Sequence, residues 1–388
     1  MDGQEYQDRE GTSLEEMIAA SGISKVSMVA WRDLSDPEAG GSELHAHRVA
    51  ARWAAAGLTV KMRTSAVAGE PIRVERDGYE VVRKGGRYGV FPQVISEGIR
   101  RRGASDEALV EIWNGMPFFS PVWFHGPRIV FLHHVHAEMW NMVLSKGMAT
   151  LGNTIESRLA PPLYRSTSIV TLSESSREEI IDLLGMHPDR VHVVPPGIEA
   201  RFSPGGQRSP TPHVVAVGRL VPVKQFDRLI RDLAVVKKSV PTLTASILGE
   251  GYGRDELEAL RDSLGATEWL TMPGRVSDDV QVAEYRRSWL VTSASAREGW
   301  GMTLTEAAAC GTPSVATDIA GHRDSVVDGS SGILVDPASS LAPTIVSVLT
   351  DSDLRERLSR GAMDYAGTLT WERTAADAFG LLAQRPGV

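Results

Sequence analysis

Short apolar runs recur along this chain, bounded by glycine, proline or polar residues and separated by stretches whose apolar residues fall three and four apart. Such alternation predicts strands and amphipathic helices taken in turn. Lys25–Trp31 reads as a buried strand. Gly40-Gly41-Ser42 follows, with Ser42 expected as the N-cap of a helix to Ala56 and Gly57 just past its end. Leu58–Thr64 is the next strand. Further strands are expected at Ala108–Trp113, Arg128–Leu132, Ser168–Leu172 and Val191–Val194, with helical stretches such as Glu174–Leu184 between them.

Pro195-Pro196-Gly197 opens a segment rich in proline, glycine and serine that closes near Pro212, and it reads as a linker. Beyond it the alternation restarts: strand His213–Val217, helix Gln225–Lys238, strand Thr242–Leu248 and helix Arg254–Leu264. Strands near Trp269–Met272 and Trp289–Ser293 come next, then a helix Thr303–Ala309 and strands Pro313–Ala316 and Gly332–Val335. Regular alternation of this kind predicts parallel sheets covered on both faces. The expected class is therefore α/β, with two doubly wound, Rossmann-like domains. The expected division is a loose extension over 1–24, a first domain over 25–196, a hinge over 197–212, a second domain over 213–370 and a closing segment over 371–388.

Composition narrows the function classes. A chain of 388 residues exceeds one ordinary core, and 42% hydrophobic with 23% charged residues is enough to fill two. The net charge of −8 argues against nonspecific nucleic-acid binding, which needs a surplus of lysine and arginine. Cys310 is the single cysteine, which excludes an internal disulfide. Met1–Ser24 lacks the apolar centre of a signal peptide, and no run of about 18 apolar residues follows, so the cytoplasm is the expected compartment. Arg100-Arg101-Arg102 offers a peripheral contact with anionic lipid, although service to a helix dipole explains it more simply.

Ligands of open α/β sheets bind at the carboxyl ends of strands, beside helix N-termini. Residues 297–313, REGWGMTLTEAAACGTP, are the richest such place. Glu298 falls in a loop after a strand and Glu306 in the first turns of the next helix, where either carboxylate can accept hydrogen bonds from neighbouring sugar hydroxyls. Gly299 and Gly301 permit close backbone approach, so the amides of Trp300, Gly301 and Met302 are candidates for a phosphate. Gly218-Arg219 and Lys224 put cations after another strand, suited to phosphate oxygens. Gly40-Gly41 opens the first helix, where amides can meet a pyrophosphate, without making a full dinucleotide fingerprint. His133, His134 and His136, with Glu138 nearby, raise the question of zinc, but the spacing is not that of a helical metal site. Each motif alone has a bland alternative: a helix-dipole glutamate, a surface cation, a plain tight turn.

Their order is more specific. Pro195-Pro196-Gly197-Ile198, Val217-Gly218-Arg219-Leu220, Lys224, Leu248-Gly249-Glu250-Gly251, Pro273-Gly274-Arg275-Val276, the glutamate loop and Gly332–Val335 resemble the succession and spacing of the retaining family-4 glycosyltransferases. The resemblance covers about Lys25 to Phe379 and implies the GT-B fold, two Rossmann-like domains facing across a cleft. It also implies transfer of a hexosyl group from a nucleoside-diphosphate sugar to a hydroxyl acceptor, with no metal and no bound cofactor. By the same resemblance Arg219 and Lys224 grip the diphosphate, Glu306 binds the ribose, and Glu298 binds the donor sugar with amides from Trp300 to Thr303. Gly249 belongs to the donor-binding set, and Gly40-Gly41 close over the diphosphate from the first domain. His133 contacts the transferred sugar, with His134 and His136 on the acceptor side. The segment from Trp371 is expected to cross back to the first domain. Departures include Gln225 where a glycine is usual and Trp300 at a common phenylalanine position. The rival readings are another GT-B reaction, such as epimerisation of a sugar nucleotide or phosphorolysis, and a noncatalytic nucleotide-sugar-binding protein.

Overall fold

A computed structural model describes residues 12–100, 104–136 and 146–384. The chain divides into two compact units, Met1–Gly197 with Trp371–Val388, and Ile198–Thr370. The first carries an eight-stranded sheet: β1 (Lys25–Val29), β2 (Thr59–Thr64), β3 (Arg73–Arg76), β4 (Tyr79–Arg83), β5 (Glu107–Ile112), β6 (Arg128–Phe131), β7 (Ser168–Thr171) and β8 (Val191–Val193). Their order is β3-β4-β2-β1-β5-β6-β7-β8. β3 pairs antiparallel with β4, and the other neighbours run parallel.

The β3–β4 hairpin is absent from the strands expected above. It turns on Asp77-Gly78, both at positive φ (47° and 83°), the conformation that a two-residue hairpin loop demands. Another difference concerns the start of the chain. Within the expected loose extension 1–24, residues Leu14–Ser21 form a helix. Ser13 Oγ accepts from Glu16 N–H and Glu16 reaches back to Ser13 N–H, a reciprocal cap that satisfies two end amides. Leu14, Met17 and Ile18 pack against the main core of the unit.

The helix Trp371–Ala383 belongs to this first unit. Trp371, Ala375, Ala378, Phe379 and Leu382 are almost fully buried. Trp53 Nε1 donates to Ala375 O at 2.9 Å, and Arg52 pairs with Glu372 at 2.8 Å. Beside β1, the fully buried Asp33 receives Arg83 at 3.0 Å and both terminal nitrogens of Arg76 at 3.2 Å. These pairs tie the segment after β1 to the β3–β4 hairpin. Burial would raise the Asp33 carboxyl pKa, but hydrogen bonds from Ser35 N–H and the two guanidinium groups hold it at about 2.

The second unit holds a six-stranded, wholly parallel sheet of β9 (His213–Val217), β10 (Thr244–Leu248), β11 (Leu270–Gly274), β12 (Leu290–Ser293), β13 (Ser314–Thr317) and β14 (Gly332–Val335). The order is β11-β10-β9-β12-β13-β14, so the winding reverses between β9 and β12. Crevices for ligands open at such a reversal, beyond the carboxyl ends of the two strands. Within the segment expected as a hinge over 197–212, the chain packs on this unit from Ile198. Phe202 enters its core, and the Arg208 guanidinium is enclosed by the carbonyls of Ser288 and Gly311 and the Thr312 hydroxyl. Proline and glycine here mark an irregular path with an apolar anchor at Phe202.

Candidate functional site

Four loops meet at the carboxyl edge of the second sheet. The β9 loop is joined to the β10 loop by Gly218 N–H to Leu248 O (3.0 Å) and Leu220 N–H to Glu250 O (2.9 Å). It is joined to the β12 loop by Ala296 N–H to Val223 O at 2.8 Å. Glycine permits this closeness: a Cβ on Gly249, which sits at φ +137°, would lie 2.0 Å from Gly218 O. A Cβ on Gly321, after β13, would lie 2.5 Å from Glu298 O and 2.7 Å from Trp300 N. Motifs far apart in sequence are therefore bonded into one rim.

On that rim Lys224 Nζ makes an ion pair with Glu298 Oε1, both side chains being largely enclosed. Ser295 Oγ donates to the same oxygen at 2.8 Å. Burial pushes the Glu298 carboxyl pKa up, but the charge and hydrogen bond of Lys224, with smaller help from His322 and Ser295, bring it below its ordinary value. Arg219 is exposed three residues before the 3-10 turn Pro222–Lys224. Gln225, which ends that turn, is held in the left-handed region at φ 48°, the reason a glycine suits this place.

Gly301 caps the helix Met302–Ala309 from the left-handed region at φ 107°. Leu304 N–H already bonds Gly301 O at 2.9 Å, whereas the amides of Met302 and Thr303 stand in the first turn, where helix geometry supplies no carbonyl. Trp300 is buried beneath the loop, so its ring packs under the loop rather than facing a ligand. One turn on, Glu306 Oε2 accepts from Gln281 Nε2 at 3.0 Å and from Tyr285 Oη at 3.1 Å. Burial raises its carboxyl pKa, the Tyr285 hydrogen bond opposes this, and the balance stands at about 7.

The first unit carries the remaining predicted residues. The N-cap of the helix Gly41–Ala55 is Gly40, correcting Ser42. Ser42 lies inside the first turn, and the Glu43 carboxylate reaches back instead to accept Gly40 N–H at 2.8 Å. Asn114 Nδ2 holds the other oxygen of Glu43 at 3.2 Å. Gly41 is exposed at the helix start. His133, just after β6, is buried with Nε2 3.2 Å from His45 Nδ1, and burial holds both rings well below the ordinary histidine pKa, His45 at about 3. The rings of His134 and His136 stack at 4.8 Å, and His136 N–H donates to the buried Glu156 at 3.0 Å. Glu138, Arg101 and Arg102 lie outside the described residues. Among the described residues no cluster of three or more histidine, cysteine or acidic side chains is placed to hold a metal ion, and no helix is long and apolar enough to cross a membrane.

Gly218, Arg219, Lys224, Gly249, Glu298, Trp300, Gly301, Met302, Thr303 and Glu306 thus all lie in the second unit, and Gly40, Gly41, His133, His134 and His136 in the first. Sequence reasoning missed Gln281 and Tyr285, which orient Glu306, and Ser295 and His322, which flank Glu298. His322 stands five residues beyond β13, inside the short helix Ala320–Ser325, where no motif marks it.

Comparisons with known proteins agree with this arrangement. Residues 198–364 match the family described as Glycosyl transferases group 1, and residues 39–202 match Glycosyltransferase Family 4. Among curated proteins, the D-inositol 3-phosphate glycosyltransferase of Thermomonospora curvata is 28% identical over 388 aligned residues, covering 87% of this chain and 89% of that protein. The protein of that name from Stackebrandtia nassauensis is 32% identical over 236 residues, covering 55% of this chain. In that match and in the one to Salinispora arenicola, the chain spans about half the length of the relative, 53% and 52%. Among solved structures, sucrose-phosphate synthase from Thermosynechococcus elongatus superposes with a TM-score of 0.78 at 18% identity, over 92% of this chain and 98% of that one. Anabaena Alr3699/HepE in complex with UDP-glucose gives a TM-score of 0.69 at 17% identity, again over 92% and 98%. With its two Rossmann-like sheets, its ordered donor-edge motifs and two family models that together span residues 39–364, the chain belongs to the family-4 glycosyltransferases and has their GT-B fold.

Proposed function

We propose that this chain is a retaining hexosyltransferase that takes its sugar from a nucleoside-diphosphate donor and passes it to a hydroxyl acceptor without a metal ion. The observation that carries this reading is the Lys224–Glu298 pair, set at the sheet reversal within one stitched rim that also holds Glu306. Breaking the glycosyl–phosphate bond places negative charge on the departing β-phosphate, and a divalent cation or fixed positive groups must stabilise it. Arg219, Lys224 and the first-turn amides of Met302 and Thr303 are the fixed groups here.

Lys224 and Glu298 satisfy each other in the free protein. In the donor complex the diphosphate takes over the ammonium group and sugar hydroxyls replace it at Glu298, so neither buried charge is left alone. Glu306 accepts from the ribose. On the first unit, the Gly40-Gly41 turn and His133 are the groups assigned to the diphosphate and the transferred sugar. Reaction passes through an oxocarbenium-like state. Retention follows a front-face course in which the departing phosphate accepts the proton of the attacking hydroxyl. A glycosylated glutamate or aspartate trapped on the protein would exclude that course.

The HepE structures contain UDP and UDP-glucose, which makes UDP-sugars the first donors to assay. The curated relatives bear the name D-inositol 3-phosphate glycosyltransferase, which makes that phosphate the first acceptor. The deciding experiment measures sugar transfer and donor hydrolysis by wild type and Lys224→Ala, with and without chelator. Loss of activity in the variant and indifference to chelator are expected; equal activity in both proteins removes Lys224 from the mechanism.

A further inference from the structure

His322 is fully buried in the short helix Ala320–Ser325, just beyond β13. Its Nδ1 lies 2.8 Å from Thr317 O. A carbonyl oxygen can only accept, so Nδ1 carries the proton. The neutral ring then presents Nε2 as a bare acceptor, and that atom is buried without a hydrogen-bond partner. Buried polar atoms are nearly always paired, so an orphan at a ligand edge marks a place for ligand. Burial holds the imidazole below its ordinary pKa, despite the opposing pull of Glu298, and keeps Nε2 unprotonated.

The surroundings point to what fills it. The Cδ2 side of the ring, next to Nε2, faces Gly301, where a Cβ would sit 3.3 Å away. Glu298 and Lys224 both lie within electrostatic reach of the ring. A chain of bonds also joins His322 to Glu298: Thr317 Oγ1 donates to Ser295 O at 2.7 Å, and Ser295 Oγ donates to Glu298 at 2.8 Å. The ring therefore shares the part of the rim assigned to donor-sugar hydroxyls.

We propose that His322 Nε2 accepts a hydrogen bond from one hydroxyl of the donor sugar beside Glu298, making it a determinant of which sugar is taken. This rests on the nucleotide-sugar reading above. His322→Asn isolates the role, because the asparagine amide can keep the donor to Thr317 O while removing the Nε2 acceptor. Calorimetric titrations of wild type and variant would use UDP, GDP and ADP, each with its glucose ester, and monodeoxy analogues of the ester that binds.

The expected result is a loss of about tenfold for the nucleotide sugar, the worth of one hydrogen bond, with binding of the free diphosphate unchanged. One deoxy analogue should cost wild type the same factor and cost the variant nothing more. That coupling to a single hydroxyl survives even if the variant is less stable, since a structural defect would weaken every ligand alike. Equal losses for diphosphate and sugar ester, no loss at all, or deoxy effects identical in both proteins would overturn the proposal. So would wild type binding a diphosphate with no contribution from the sugar, a result that leaves nucleotide recognition standing. Failure to bind any of the six parent ligands would overturn the donor reading itself.

Discussion

Glu306 ties donor affinity to pH in a way that can be worked out beforehand. A carboxyl accepting two ribose hydroxyls must be ionised, yet in the free protein its pKa is raised from 4.5 to about 7 by burial. Binding at lower pH therefore requires removal of a proton, and affinity falls once the pH drops below about 7. Between pH 8, where roughly nine-tenths of the groups are ionised, and pH 6, where roughly one-tenth are, affinity should fall about tenfold, or about 1.4 kcal/mol. A nucleotide sugar is the proper probe, because its diphosphate lacks the ionisation near pH 6 of a terminal phosphate. Tyr285→Phe removes a hydrogen bond that favours the ionised form. The fall should then begin at higher pH, whereas Glu306→Gln should bind weakly and without the slope. The sign for stability is likewise set: a carboxyl whose folded pKa lies above its unfolded value contributes most below pH 4.5. That contribution, about 3 kcal/mol, is lost as pH rises to about 7. Wild-type affinity that stays flat from pH 6 to 8, measured by calorimetry, would refute the assignment of Glu306 to the ribose.

Three other outcomes follow from the geometry. Asp33→Ala should destabilise the first unit by about 3 kcal/mol in urea unfolding, because it leaves the buried Arg83 with only the partly exposed Glu70 carboxylate as partner. In wild type the depressed Asp33 pKa contributes about 2 kcal/mol above pH 3.8, lost as pH falls through about 2, and acid unfolding should show this loss absent from the variant. Gln225→Gly relieves a left-handed backbone at φ 48° and should raise unfolding stability by up to about 1 kcal/mol with donor binding intact. Trp371→Ala should cost the first unit about 3–5 kcal/mol, read from its denaturant midpoint, since the side chain is 1% exposed.

Legibility in the sequence followed physical lines. His213–Val217, Gly332–Val335 and the helix Glu174–Leu184 match the expected bounds, because apolar runs or 3.6-residue periodicity end there at clear stop signals. The helix Val90–Arg100 was legible only at its basic end, because Pro92 and Gly98 interrupt it. Gly98 is explained only by a neighbour distant in sequence, since a Cβ there would lie 2.2 Å from the Trp123 ring. The donor-edge residues were legible as motifs on separate loops. Their partners were not: Tyr285 and Gln281 sit on the helix Asp278–Arg287, which has weak apolar periodicity, and meet Glu306 only through the fold. His322 and Ser295 carry no motif, and their meaning comes from an unfilled lone pair and a short bond network.

The helix Trp371–Ala383 also governs the order in which the protein can assemble during its synthesis. Residues 198–370 form the second unit without it, whereas the first unit lacks Trp371 and Phe379 from its core until they have left the ribosome. At roughly 5–20 residues per second, the first unit waits about 10–30 s with part of its core unfilled while the later unit is made. The part translated second is thus free to finish first. The earlier part needs shelter for that interval, and a ribosome stalled near residue 370 would release a chain whose second unit is whole and whose first is not.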